Sequence, residues 1–436
     1  MNRSVLLSTV AIGLSTVMLK AADWPQFRGP NRDGVSLETG LLTAWPANGP
    51  QLQWTYSEAG IGYSGPAVVG DRLYLTGGRG DEEVVFALEQ ATATDGHVKE
   101  LWATKLGPLF NWKGNSWSAG PSATPTVDGE RVYALSGLGD LACLETATGK
   151  ELWRTNLPKN LDAQVNPIGG GPRNLGWGFT CSPLIDGNQL IVVPGGPKGT
   201  LAALDKLTGK VLWRSTELTD QAAYTSPVVT TIGGVKQYVI LTNPGVAGVA
   251  ASDGKLLWSH RRKSPYTTEV INTPIVQNGL IASTIASGNG GCELIRVEKD
   301  GDAFRVESVY ANKNLMNHHG TVVLVGKHIY GATQGAGWVC QDFATGEIVW
   351  TERRSLGSGS VTVADGRLYC FAEGDGTIVL ADASPTGWKE TGRMKLPQAS
   401  KLRKPQGKIW TPPVVAGGKL YLRDQELLLC FDVKAK

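Results

Sequence analysis

The chain has 436 residues, with 42 Lys and Arg against 39 Asp and Glu, a formal net charge of +3, 19% charged and 8% aromatic residues, 56 Gly and 23 Pro. So even a balance gives no electrostatic reason for nucleic-acid binding. Long stretches with apolar residues three and four apart are scarce, so the turn-rich composition reads as all-β rather than helical.

The first two dozen residues carry Arg3, an apolar run from Val5 to Leu19 and the small pair Ala21-Ala22 as a cut site, so residues 1–21 read as a secretory signal peptide. The run is short for a bilayer span, and no cysteine stands at the cut site to take a lipid anchor. Removing it takes Arg3 and Lys20 and no acid, leaving 40 basic against 39 acidic side chains. Residues 22–436 then form a single domain in which no further segment is apolar enough to cross a membrane.

Leu52-Gln53-Trp54-Thr55 is an orphan strand, and after it a repeat begins. Each copy opens with Ser/Thr-Pro and β-branched residues, as at Thr124-Pro125, Ser182-Pro183, Ser226-Pro227, Thr273-Pro274 and Pro412-Pro413. A Gly turn follows, as at Asp128-Gly129 or Asn278-Gly279, because Gly supplies the positive φ of a tight reversal. The copy closes on a small residue, an acid two places on, Thr-Gly-Lys/Glu and a Trp. Ala203 to Trp213 is the cleanest case; Cys143 to Trp153 and Cys340 to Trp350 share its frame, and Ala87 to Trp102 fits with an insertion. Gly248 to Trp258 has Ala250 in place of the acid, while Tyr310 and Trp388 lie in degenerate copies.

Strand pairs start near residues 65, 124, 182, 226, 273, 321, 360 and 412, which makes eight copies of four strands. The last copy ends at Cys430-Phe431-Asp432 without a Trp strand, so the orphan around Trp54 is expected to complete it. The fold class is therefore an all-β, eight-bladed β-propeller with four-stranded antiparallel blades, closed by the N-terminal strand. Trp54, Trp102, Trp153, Trp213, Trp258 and Trp350 are assigned to holding blades together. Six cysteines without a C-x-x-C pair lack the signal of a zinc ribbon, a redox pair or haem attachment; Cys143, Cys340 and Cys430 read as small core residues.

The repeat resembles the tryptophan-docking motif of the PQQ-like (pyrroloquinoline quinone repeat) β-propellers, a superfamily that includes BamB-like assembly proteins and quinoprotein alcohol dehydrogenases. The resemblance covers about residues 50–436, and Trp24-Pro25-Gln26-Phe27-Arg28-Gly29-Pro30 looks like the opening of many secreted propellers of this family.

Function is expected in the long loops that gather at one channel mouth: 103–121, 155–180, 311–319 and 391–410. The candidate ligand-binding residues there are Trp112, Lys113, Asn115, Trp117, Arg173, Asn174, Trp177, His318, His319 and Trp410, a set suited to a polar or anionic small molecule or a glycan. Adjacent residues on a strand face opposite ways, so His318 and His319 are not expected to share an ion, and no metal site is assigned. The 391–410 stretch carries Arg393, Lys395, Lys401, Arg403, Lys404 and Lys408 with no acid and is expected to meet an anionic partner.

The reading adopted is a periplasmic or secreted, monomeric binding and scaffold protein of the cell envelope, BamB-like, with envelope protein partners and no cofactor. The alternative is a PQQ-dependent dehydrogenase of alcohols or sugars holding PQQ with Ca²⁺, with Glu269 and Asn272 as the nearest ligand pair. Against it stand the missing Cys-Cys pair and the few acids in the channel loops. No pair of carboxylates suited to glycoside hydrolysis is seen either.

Overall fold

The computed structural model describes residues 23–90, 97–171, 174–286, 288–335 and 337–436. The signal peptide read at 1–21 lies outside them, as does Arg173. Eight four-stranded antiparallel sheets follow one another around a ring, spanning 67–108, 126–156, 184–214, 228–261, 275–312, 323–352, 359–395 and 414–432, here blades 1 to 8. The eighth sheet has only three strands of its own. Its outer strand is Gln51–Tyr56, which pairs antiparallel with Leu427–Asp432 and places Trp54 opposite Cys430. Last strand and first strand thus share a sheet, which leaves the ring no open end.

Each residue of the repeated motif has a physical task. The acid closes the outer turn: Asp205 Oδ1 accepts from the Leu207 and Thr208 amides at 3.1 and 2.8 Å, and Asp342 does the same for Ala344 and Thr345. The Gly after Thr sits at positive φ (+71° at Gly209) and lies flat against the Trp of the preceding blade. A Cβ there would come within 2.7 Å of the Trp153 ring. Gly149 meets Trp102 and Gly254 meets Trp213 in the same way. The small residue stands directly across from the Trp of its own blade: Ala87 with Trp102, Cys143 with Trp153, Ala203 with Trp213, Cys340 with Trp350. A large side chain there would push the ring off its neighbour. All six cysteines are buried and free.

Two blades depart from this scheme. Trp258 packs beside Ile295 and Val297 of blade 5 but seats no glycine of that blade. Its Nε1 turns back to Gln237 of its own blade at 2.5 Å, and the ring lies on Gly248. Blade 5 reaches out instead as a long hairpin, Gly291–Asp300 and Ala303–Asn312. In blade 7 the expected pair is reversed, with Leu380 opposite Gly392. The space above Gly392 is filled by Trp45, which comes from the segment ahead of the first blade and packs against Leu420 and Tyr369. Trp388 is not on the outer strand; it lies before it and packs against Trp338 and Trp350.

The Trp24–Gly34 stretch spans the channel at the end that carries the inner hairpin turns. Trp24 bridges to Val68 of blade 1, Pro25 accepts from the Val127 amide of blade 2, and Gly34 accepts from the Val363 amide of blade 7. Arg32 donates to the Ser182 and Pro183 carbonyls of blade 3 at 2.8 and 2.9 Å, and Arg28 to the Val322 carbonyl of blade 6 at 2.8 Å. One short segment therefore ties together blades on opposite sides of the ring. Among the described residues no helix is long and apolar enough to cross a membrane.

Candidate functional site

The innermost strands aim their approach residues at the axis. Side chains alternate along an extended chain, so positions one and three places ahead of the strand-opening proline face the same way. Three places ahead stand Tyr63, Ser122, Thr180, Tyr224, Ile271 and Trp410. In blade 6, which lacks the proline, His319 has the equivalent place. All seven line one cavity of about 430 Å³, in the range of small-molecule sites. Gly65, Thr124, Ser226, Thr321 and Pro412, one place ahead, form a lower tier of the wall, and Phe27 of the N-terminal segment completes the floor. The mouth is framed by Trp117, Trp177, Glu269 and His318 from the loops between blades.

The aromatic rings are held rigidly. Trp177 Nε1 donates to Glu269 Oε1 at 3.2 Å, and its ring packs on Trp112, centroids 5.3 Å apart. Trp410 Nε1 donates to Glu373 at 3.2 Å, whose other oxygen takes Lys408 Nζ at 2.6 Å. The Trp410 ring is stacked by His319 at 4.3 Å and flanked by Tyr63 at 5.2 Å.

His318 and His319 sit in a loop, not on a strand, and both face the cavity, contrary to the alternation expected of them. Their Nδ1 atoms are 3.0 Å apart, so one ring must donate and the other accept. Burial lowers the pKa of His318 and holds that of His319 well below the ordinary value, leaving the pair neutral at neutral pH.

Of the ten residues singled out in the sequence, the cavity wall takes Trp117, Trp177, His318, His319 and Trp410. Trp112 stands behind Trp177, outside the lining. Asn115 is buried and shapes its own loop: its Oδ1 accepts from the Trp117 and Ser118 amides, and its Nδ2 donates to the Ser118 carbonyl. Lys113 and Asn174 are exposed beyond the wall. Phe27, Tyr63 and Tyr224 were missed, although the phase of the repeat points directly at the two tyrosines.

The loops are shorter than the sequence suggested. The outer strand of blade 1 continues to Pro108, and Glu390–Lys395 is the outer strand of blade 7. Three of the six cations of the 391–410 segment are tied up in ion pairs. Arg393 pairs with Glu390, Arg403 with Asp424 and Lys408 with Glu373.

The sequence profile of the PQQ_2 family, described as "Outer membrane protein assembly factor BamB", matches residues 92–352 and 307–430. The chain belongs to this family. BamB of Yersinia pestis is 24% identical over 336 residues, covering 75% of this chain and 76% of that protein. BamB of Bordetella pertussis (strain Tohama I) is 24% identical over 307 residues, covering 67% and 68%. Among solved structures, BamB from Moraxella catarrhalis superposes with a TM-score of 0.59 at 14% identity, over 90% of this chain and all of that one. Quinohemoprotein alcohol dehydrogenase from Comamonas testosteroni gives 0.59 at 12% identity, over 95% and 81%. At such identities the superpositions show the fold alone.

The quinoprotein branch of this superfamily implies PQQ with Ca²⁺, and the donor set does not fit that pair. The cavity wall holds one carboxylate, Glu269, and no Lys or Arg among the described residues to neutralise an anionic quinone. Among those residues no group of three or more His, Cys, Asp or Glu is placed to hold a metal. Asn272, the expected partner of Glu269, is buried outside the cavity lining; its Nδ2 donates to the Thr284, Asn317 and His318 carbonyls, while its Oδ1, the atom that could ligate, has no partner among the described residues.

The loop bearing Trp112 and Trp117 is anchored by Glu83, which is fully buried. Its two oxygens accept from the Phe110 amide at 3.1 Å and the Gly137 amide of blade 2 at 2.8 Å. Burial pushes this carboxyl up from 4.5 to about 7, against the lowering effect of those two amides. Between these values the folded protein holds a proton that the unfolded chain has lost. The contribution to stability is therefore full below the lower value and falls as pH rises through the upper one, by roughly 3 kcal/mol at most. Unfolding midpoints of wild type and Glu83→Gln between pH 5 and 8 are expected to shift in favour of the variant as pH rises. A difference that stays constant with pH counts against this titration.

Proposed function

We propose that the protein is a non-catalytic binding scaffold of the cell envelope, exported to the periplasm or beyond and acting as a monomer on envelope protein partners, with the channel mouth as its small-molecule site. The family match across 92–430 carries this reading, since the relatives it joins are named as outer membrane protein assembly factors. The make-up of the cavity supports it: one lining carboxylate with no second acid in the lining among the described residues, and the Trp177 and Trp410 indole N–H groups already bound by Glu269 and by Glu373 behind the wall. On this reading no PQQ is used.

Removing the protein from its own cells is expected to lower the amount of assembled outer-membrane proteins, measured on isolated envelopes; unchanged amounts would overturn the assembly role. Purified protein given PQQ and Ca²⁺ is expected to show no dye-linked oxidation of alcohols or aldoses, and steady turnover would overturn the non-catalytic reading.

A further inference from the structure

We propose that the cavity at the channel mouth binds a free, compact organic ammonium ion, with Glu269 as its counter-charge and the faces of Trp117, Trp177 and Trp410 as its walls. The inference deepens the binding role proposed above and does not depend on which envelope partner the protein meets.

Charge is the first argument. Glu269 is the charged residue among the described lining residues, and the two histidines beside it share one proton between their Nδ1 atoms and add no positive charge. Lys408, whose charge reaches both histidines, is held by Glu373 outside the wall. An anion entering here would meet uncompensated negative charge, whereas a cation would find a carboxylate already fixed in place by the Trp177 indole.

The walls offer few free polar groups. A sugar needs several free donors and acceptors, and most of the wall's polar atoms are already engaged. Tyr224 Oη donates to the Asn166 and Ile168 carbonyls, and Tyr63 Oη to the Trp117 carbonyl. Thr180 Oγ1 donates to the Tyr224 carbonyl, while Thr124 and Ser226 accept from the Gly65 and Ser182 amides. Both inner indole N–H groups go to carboxylates. Against the few groups left over, such as the Ser122 hydroxyl and the histidine Nε2 atoms, the aromatic rings Tyr63, Trp117, Trp177, Tyr224 and Trp410 line the same cavity as one carboxylate, a setting that attracts an alkylated ammonium through cation–π contact and needs no hydrogen bond from it.

The floor supplies the third argument. The N-terminal segment closes the channel beneath the cavity with the Phe27 ring, so the site is a pocket of about 430 Å³ rather than a pore. A headgroup attached to a bilayer would have to enter through a mouth rimmed by the Trp117 loop, so a free small molecule is the better fit.

The test uses the full mature chain, with tetramethylammonium and choline as probes, read by calorimetry and by tryptophan fluorescence. Binding of both is expected. The neutral carbon analogue of choline, 3,3-dimethylbutan-1-ol, is expected to bind at least tenfold more weakly. Glu269→Gln, which preserves the acceptor for Trp177, is expected to weaken choline at least tenfold, and Trp117→Ala, at an exposed ring, several-fold. Unfolding midpoints of both variants should match wild type, and a Glu269→Asp variant keeps the charge and is expected to retain more affinity than Gln.

Equal binding of choline and its neutral analogue would overturn the proposal, as would PQQ or glucose binding in preference to choline. Capture by phosphatidylcholine vesicles without binding of free choline would overturn the small-molecule source. None of these results touches the assembly role, which stands or falls on the envelope measurement.

Discussion

Replacing Arg423 with Met is expected to destabilise the protein by about 3–5 kcal/mol, since each buried carbonyl left without a partner costs about 1–3 kcal/mol. Arg423 sits on the second strand of blade 8 and is 1% exposed. Its Nε donates to the Gln425 carbonyl at 2.8 Å, and its Nη1 to the Ser64 and Thr76 carbonyls at 2.7 and 2.8 Å. Its Nη2 reaches the Ala59 and Gly60 carbonyls at 3.2 Å. Four of these five acceptors belong to blade 1 or to the segment leading into it. The guanidinium is thus a clip across the seam where the end of the chain meets its beginning. With Met in place, those carbonyls stay buried without partners, which is worse than never having made the bonds. Arg423→Lys is expected to recover only part of the loss, because three donors on one point cannot serve five acceptors spread around a planar fork. Arg393→Met, at an exposed pair with Glu390, is expected to cost under about 1 kcal/mol and serves as the comparison. Urea midpoints read all three. A seam variant within about 1 kcal/mol of wild type would show that the strand Gln51–Tyr56 closes the ring without help from Arg423.

Arg423 also marks where the sequence stops being readable. Its place in the repeat is occupied by Thr76 in blade 1, Leu135 in blade 2 and Phe371 in blade 7, so a charge there breaks the pattern visibly. Three of its acceptors, however, Ala59, Gly60 and Ser64, lie about 360 positions away in irregular chain that no periodicity marks. The eight blades and the strand exchange at Trp54 were legible because each is a local pattern repeated: strand, Gly turn, strand, Thr-Gly turn. The reversed pair Leu380 and Gly392 was legible only as a degenerate copy. That Trp45 fills the gap is a tertiary fact, since nothing near Trp45 resembles the motif. The cavity falls between these cases. Its mouth residues stood out by composition, while Tyr63 and Tyr224 required counting back three places from each proline. The histidines were misjudged because the alternation rule was applied to residues outside any strand.

The double substitution Arg28→Met and Arg32→Met is expected to release the floor of the channel while leaving the blades assembled. Both arginines are buried, and both have left-handed backbone, with φ of +62° and +58°, a conformation that L residues adopt at a cost. The carbonyls they reach in blades 3 and 6 offset that cost and fix the whole Trp24–Gly34 stretch across the opening. Without the guanidinium groups nothing offsets the strained turn. The Trp24, Pro25 and Gly34 backbone bonds to blades 1, 2 and 7 are then held by one side of the segment at a time. Cys181 reports the outcome. It precedes Ser182, whose carbonyl Arg32 holds; its thiol donates to the Ala223 carbonyl, and burial pushes its pKa up to about 12, so in wild type it is inert to maleimide at neutral pH. The variant is expected to label at Cys181 within the time that wild type stays unlabelled. Cys143, Cys292, Cys340, Cys370 and Cys430 lie in the blades themselves and are expected to remain protected. Labelling of all six together would mean that the ring itself opens, making the floor a part of the closure rather than a cover laid over it. Protection of all six would show that Trp24, Pro25 and Gly34 hold the segment in place without either arginine.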